Sequence, residues 1–290
     1  MQVLCDLARI TRLGEGLHAQ PLFLPGAQER TFQVLKEYSE IAKSLGAQKI
    51  IAVGTAGFRK AKNAKEFVER VSKELGFTIN IISGEEEARL SYLSAATDFP
   101  QLENLFVLDI GGGSTEIISK DGGVSLDMGA VILTEKIVKH DPPTEGELQE
   151  MQRSINSTLK SPHPPFFKGG NPGASPFEKG GMRGISLVAL AGSVTTLSAI
   201  KQGLTTWDGS RVQGSKLSLS EIEEMISLFR RTKNEERRTI PGMVRGREDT
   251  ILAGALILKT IMDHMGVKEV IVSDRGLRYG LFYERFNNNS

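Results

Sequence analysis

At 290 residues, with 39% hydrophobic and 24% charged side chains, the chain has the composition of a soluble globular protein of one large or two ordinary domains. A net charge of +1 gives no global bias toward nucleic acid or a membrane surface, and no apolar run approaches the ~18 residues of a membrane span. Cys5 is the only cysteine, which excludes an intrachain disulfide and fits a reducing, cytoplasmic compartment; the opening MQVLCDLARITR lacks the pattern of a signal peptide.

Residues 27–45 place Phe32, Leu35, Tyr38, Ile41, Ala42 and Leu45 on one helical stripe, with Gly46 as a stop. KIIAVGT (49–55) is a buried strand, 64–75 a helix closed by Gly76, TINIIS (78–83) a strand and 85–96 a helix. LFVLDI (105–110) is again a buried strand. Such alternation predicts an α/β domain with a parallel component. Residues 116–119 and 124–133, joined at Lys120-Asp121-Gly122-Gly123, predict an antiparallel hairpin. Thr144 with Glu147 forms a capping box for a helix to about residue 159. SLVALAG (186–192) is a strand, Ser220 with Glu223 caps a helix through 229, 251–265 is a long apolar helix, and 269–273 a last strand. Residues 161–184 are rich in proline and glycine, with the near-repeat PFFKGG and PFEKGG. They predict a disordered low-complexity insert that binds nothing through its phenylalanines.

The densest chemistry lies in VLDIGGGSTEI, residues 107–117. Gly111, Gly112 and Gly113 can take positive φ and leave room for a ligand, and successive N–H groups in such a turn form a nest for an anion. Ser114 and Thr115 add hydroxyl donors. Asp109 and Glu116 would repel a phosphate unless a cation lay between, a role that suits Mg²⁺. A glycine-rich hairpin turn is the plainer alternative. ISGEEEAR (82–89) opens a helix with three acids; the helix dipole accounts for them, or one glutamate acts as general base on water. GTAGFR (54–59) ends a strand, with Thr55 and Arg59 suited to an anion, or else with an ordinary turn and a surface arginine. LAGSVTTL (190–197) is a third corner of this kind. Three such corners at strand C-termini point to phosphate chemistry. Arg230, Arg231, Lys233, Arg237, Arg238, Arg245 and Arg247 form either a polyanion track or a solvated helix face. His18, His140, His163 and His264 lack metal-ligand spacing.

ITRLGEGL (10–17), ISGEEEAR (82–89), DIGGGSTE (109–116), AGSVTTLSAI (191–200) and VSDRGLRYGL (272–281) together resemble the exopolyphosphatase and guanosine pentaphosphate phosphohydrolase family, in its short form. The resemblance implies the actin, Hsp70 and sugar-kinase fold (ribonuclease H-like), with two α/β domains around a cleft. It implies release of terminal phosphate from polyphosphate or pppGpp, with Mg²⁺ as cofactor. By motif match Glu87 is the general base, Asp109 and Glu116 are the metal and phosphate-loop acids, Gly111 to Thr115 form the second phosphate loop, and Arg59 lines the cleft. Glu85 and Glu86 are left to the helix dipole.

The family pattern begins with a strand and a first phosphate loop of the form Asp-x-Gly-Thr-Asn-Ser, and this chain opens at the stretch after it. The expectation is an N-terminally incomplete first domain at 1–103, with a strand near 3–10 lacking a neighbour, a second domain at 104–290, and weak turnover by the chain alone. Two competing functions are carried: an ATP-using kinase or chaperone-like ATPase of this fold, against which ISGEEEAR argues, and a non-enzymatic binder of (p)ppGpp or polyphosphate. Nucleic acid and membrane are not expected partners, and a homodimer is the one assembly entertained.

Overall fold

The structure, a computed structural model, describes residues 3–161 and 184–286. The expected 161–184 insert lies almost wholly outside the described residues. Helix α1 (Pro25–Ser44) carries proline in its first turn, where a missing N–H leaves nothing unsatisfied. β1 (Ala52–Gly54), α2 (Ala56–Lys60), α3 (Ala64–Leu75) and β2 (Ile79–Ile81) follow. β1 and β2 pair in parallel, Ala52 opposite Ile79 and Gly54 opposite Ile81. Gly76, with φ of 79°, takes the left-handed conformation that ends α3. Phe23, Phe32, Phe67, Val71 and Ile79 form the core of this unit.

The strand expected near residues 3–10 does not form. Val3, Leu4, Leu7 and Ile10 are each at least 39% exposed. A strand needs a neighbour for its N–H and C=O groups, and among the described residues the ladder of this unit holds β1 and β2 alone.

The chain divides into two compact units, Met1–Gly84 and Glu85–Ser290. This division falls after the first residue of α4 (Gly84–Asp98), where the expected boundary lay at 103/104. The reason is packing: Ala88 and Ala95 of α4 bury against Leu105, Val107, Val188 and Leu190 of the second unit.

The second unit is built on one mixed sheet. Its strands are β3 (Leu105–Ile110), β4 (Thr115–Ser119), β5 (Gly122–Leu126), β6 (Ser186–Leu190), β7 (Lys216–Ser218) and β8 (Glu269–Val272), in the order β5-β4-β3-β6-β8-β7. β3, β6 and β8 are parallel; β4, β5 and β7 run against their neighbours. Successive side chains alternate between the faces. Leu108, Ile110, Ile117 and Ala189 join the large core with α11 (Ile251–Met265), whereas Val107, Ile118 and Val188 face α4.

The remaining helices are α5 (Ala130–Ile137), α6 (Glu145–Lys160), α7 (Ala191–Lys201), α8 (Gly209–Val212), α9 (Leu219–Arg231), α10 (Asn234–Arg237) and α12 (Leu277–Phe286). Thr144 and Glu147 make the expected capping box at α6. The strand expected to run to residue 133 stops at Leu126, and Ala130 to Ile137 turn into α5 instead. The Gly111 carbonyl accepts from the Ala130 N–H, and the Gly112 carbonyl from those of Val131 and Ile132, so the glycine loop itself caps the new helix. At α9 the cap is Ser218 with Glu221, two residues before the expected pair. Both spacings fit Ser-x-x-Glu, and the strand β7, which ends at Ser218, decides between them. Among the described residues no helix is long and apolar enough to cross a membrane.

Candidate active site

Asp109 sits one residue before the end of β3 and alternates with Val107, so it points to the α4 face. Across the antiparallel ladder its register partner is Glu116 of β4. Two carboxylates are thereby set side by side on one face of the sheet, an arrangement that costs stability. Both are enclosed by protein while keeping a partly exposed edge. Burial pushes the Asp109 pKa up, Glu87 pushes it further, and the Ser91 hydroxyl, 3.3 Å from Oδ2, opposes them. Burial and then Asp109 raise Glu116, against hydrogen bonds from Ser114 and Ser125, the latter at 2.8 Å; Glu87 adds to the rise.

Helix α4 supplies the third carboxylate. Of its three leading acids, Glu85 is exposed and Glu86 is held by Arg89 at 2.9 Å. Arg89 also bonds Glu284 of α12. Glu87 is the member whose charge acts on both Asp109 and Glu116. Ser91, one turn further on, anchors Asp109 to the same helix. The structure therefore gathers Glu87, Asp109, Glu116 and Ser114, as the motifs imply, and separates Glu87 from Glu85 and Glu86.

The glycine loop meets its expectation in part. Gly111, Gly112 and Gly113 are absent from the residues with positive φ. Their small size is used for close packing: a Cβ on Gly112 would lie 3.0 Å from Val131, and one on Gly129 would lie 2.4 Å from the Gly112 carbonyl. Among the described residues, the N–H groups of Gly112 and Gly113 donate to no carbonyl. They are open to an anion. Thr115 differs from expectation. It is fully buried and its hydroxyl donates to the Met128 carbonyl at 2.6 Å, so this side chain braces the loop. In the first unit, Thr55 caps α2 without a side-chain hydrogen bond, and Arg59 at the same corner donates to the Ile82 carbonyl at 2.9 Å.

Two buried carboxylates with raised pKa values, and no basic side chain among the causes, have the donor chemistry of a hard cation such as Mg²⁺. Among the described residues no three His, Cys, Asp or Glu side chains form an all-protein cage.

A profile of the Ppx/GppA phosphatase family matches residues 1–289. The chain belongs to this family. It is 30% identical to exopolyphosphatase 2 of Mycobacterium tuberculosis, over 94% of this chain and 86% of that protein. It is also 30% identical to a bifunctional 3-dehydroquinate synthase/phosphatase of Fusobacterium nucleatum, over 96% of this chain but only 41% of that protein's length. Among solved structures, the Aquifex aeolicus Ppx/GppA family member is 32% identical, with a TM-score of 0.75 over 97% of this chain and 89% of that one. An exopolyphosphatase-like protein superposes with a TM-score of 0.87 at 24% identity, over 99% of this chain and 93% of that one. The fold is the actin-like α/β fold of these phosphatases.

Within this Ppx/GppA chain, the LAGSVTTL corner meets one residue of the basic run, a pairing that neither stretch shows by itself. Leu190 ends β6 opposite Asp109 in parallel register, and Gly192 follows two residues later. Ala191 between them has φ of 70°, a strained value for a residue with a side chain. A Cβ on Gly192 would lie 1.7 Å from Nη2 of Arg247, so the guanidinium lies against the bare backbone. Burial lowers the Arg247 pKa, and among the described residues no carboxylate pairs with it. The rest of the basic run is dispersed. Arg230 pairs with Glu145 at 2.5 Å, Arg238 with Glu248 at 2.7 Å, and Arg237 is buried on the carbonyls of Phe229 and Glu248. It is neither a continuous track nor a plain solvated face.

Proposed function

We propose that this phosphatase removes the terminal phosphate of inorganic polyphosphate or guanosine pentaphosphate. The observation that carries the proposal is the convergence of Glu87 on the Asp109–Glu116 pair beside a glycine loop with open N–H groups. Glu87 takes a proton from water as its oxygen attacks the terminal phosphorus. The bridging P–O bond breaks, and orthophosphate and the shortened chain are the products. General base catalysis of this kind contributes about 10²- to 10⁴-fold. Asp109 and Glu116 would hold Mg²⁺, which when bound neutralises phosphate charge. Gly112 and Gly113 donate to phosphate oxygens, and Arg247 supplies a desolvated positive charge near the same strand ends. Thr55 and Arg59 are a second group suited to phosphate, on the first unit. The exopolyphosphatase name of the mycobacterial relative supports the substrate class.

The test is phosphate release from polyphosphate and from pppGpp by the purified chain and by Glu87→Gln. A fall of about 10²-fold or more in the variant, with retained binding, is expected. Tight binding by the native chain with no release would favour the non-enzymatic alternative. Equal turnover by both proteins would remove Glu87 from the chemistry.

A further inference from the structure

A stripe of four polar side chains runs down α4 at helical spacing: Glu87, Ser91, Ser94 and Asp98. The first two belong to the carboxylate group. The other two reach away from it. Ser94 donates to the Arg275 carbonyl at 2.6 Å. Asp98, only 6% exposed, accepts from the Tyr283 hydroxyl at 2.6 Å, from Arg275 Nη1 at 3.1 Å and from Gln213 Nε2 at 3.2 Å. Gln213 Oε1 in turn accepts from the Ser273 hydroxyl at 2.9 Å and the Asp274 N–H at 3.0 Å. A buried carboxylate with three donors has its orientation settled by them.

Apart from Gln213, these partners lie in or just beyond VSDRGLRYGL, a motif that the phosphate chemistry leaves unused. The same segment also touches the other end of α4. A Cβ on Gly280 would lie 1.9 Å from the Leu90 carbonyl oxygen, so α12 meets α4 backbone to backbone beside Ser91. Arg89, next to Leu90, bonds Glu284. Two helices are thus joined at both ends of the turns that carry the acids.

We propose that α12 is a positioning clamp for Glu87. Gly280, through its approach to Leu90, and Tyr283 with Arg275, through Asp98, set the translation and rotation of α4 and so the reach of Glu87 toward Asp109 and Glu116. The proposal rests on Glu87 being the base. Its physical content is that Glu87 stands in the first turn of α4, where small shifts along or about the helix axis move its carboxylate directly. Misplacing a catalytic group by about 1 Å costs about 10²-fold in rate.

The experiment uses the full chain with inorganic polyphosphate and Mg²⁺, reading phosphate release, KM and thermal stability. Tyr283→Phe deletes one hydroxyl and keeps the ring. It is expected to lower kcat about tenfold, a partial misplacement on that scale, with KM and the melting temperature little changed. Gly280→Ala is the harsher variant and should lower kcat further. In a Glu87→Gln background, Tyr283→Phe should bring no additional loss, because there is no base left to misplace. A Tyr283→Phe protein with native kcat, or one that loses the same factor again in the Glu87→Gln background, overturns the clamp while leaving Glu87 as base. Native turnover by Glu87→Gln alone overturns both.

Discussion

Asp109 and Glu116 are register partners across β3 and β4; Asp109 pushes Glu116 toward its protonated form, and Glu87 pushes both. Burial is the larger cause in both. The native pair therefore holds protons more tightly than the unfolded chain does. Stability is lost as pH rises from the ordinary carboxylate range through the raised folded values. Without divalent cation, Glu116→Gln should stabilise the fold at pH 8, by about 0.5–1 kcal/mol, and should bring no gain near pH 4, where both groups are neutral. Melting curves at the two pH values check this. The same variant should lose most of its turnover with polyphosphate.

Adding Mg²⁺ should reverse the sign of that comparison. A cation held by the pair binds the native state and stabilises it by mass action. The melting temperature of the native chain should rise with Mg²⁺ concentration, and that of Glu116→Gln should rise less. Equal shifts in the two proteins would place the cation elsewhere.

Glu147 offers a control far from this chemistry. Burial alone would raise its pKa; hydrogen bonds from His140, from the N–H groups of Thr144 and Lys139, and from the Thr144 hydroxyl outweigh it and hold it down to about 2. A depressed folded value means stability that is present above the usual glutamate range and lost as pH falls toward 2. Glu147→Ala should cost about 1 kcal/mol at pH 7, a typical value for a helix N-terminal cap, and progressively less below pH ~4. Activity at pH 7 should be unchanged.

Arg247 separates substrate binding from folding. Its charge is buried against Gly192 without a carboxylate, so removing it should not weaken the native state. Arg247→Met is expected to keep the native melting temperature and to raise KM about tenfold or more, the loss of a charge-assisted hydrogen bond. A lower melting temperature with native KM would make it a structural residue.

Gly129→Ala tests the loop. The added methyl would meet the Gly112 carbonyl at 2.4 Å, and backbone cannot step aside as a side chain does. Overpacking of this kind costs about 1–3 kcal/mol, and the displaced Gly112 should lower turnover as well.

Much of this was legible along the chain. The helices at 64–75 and 251–265 and the strand at 105–110 follow from periodicity and end signals alone, and the structure returns the same limits. Glu87, Asp109 and Glu116 were marked by motif, and register explains why β3 and β4 bring two of them together. What was hidden depends on neighbours distant in sequence. Val131 and Ile132 look like strand residues, and only the Gly112 carbonyl waiting at their N–H groups makes them helical. Thr115 looks like a ligand donor until Met128 folds back onto it. Arg247 is one cation in a run of seven, and nothing local tells it from Arg238. The distinction is Gly192, 55 positions earlier (247 minus 192).

The bond between Asp98 and Tyr283 spans 185 positions of chain. β3 likewise waits for β6, and β6 for β8, before the parallel core exists. Contacts this remote in sequence bring large loop-closure costs and slow folding. A ribosome making this protein therefore releases α4, acids in place, long before the helix that seats it has been synthesised. The second unit has to remain unfinished through most of its own translation. Its catalytic geometry is among the last things the nascent chain acquires.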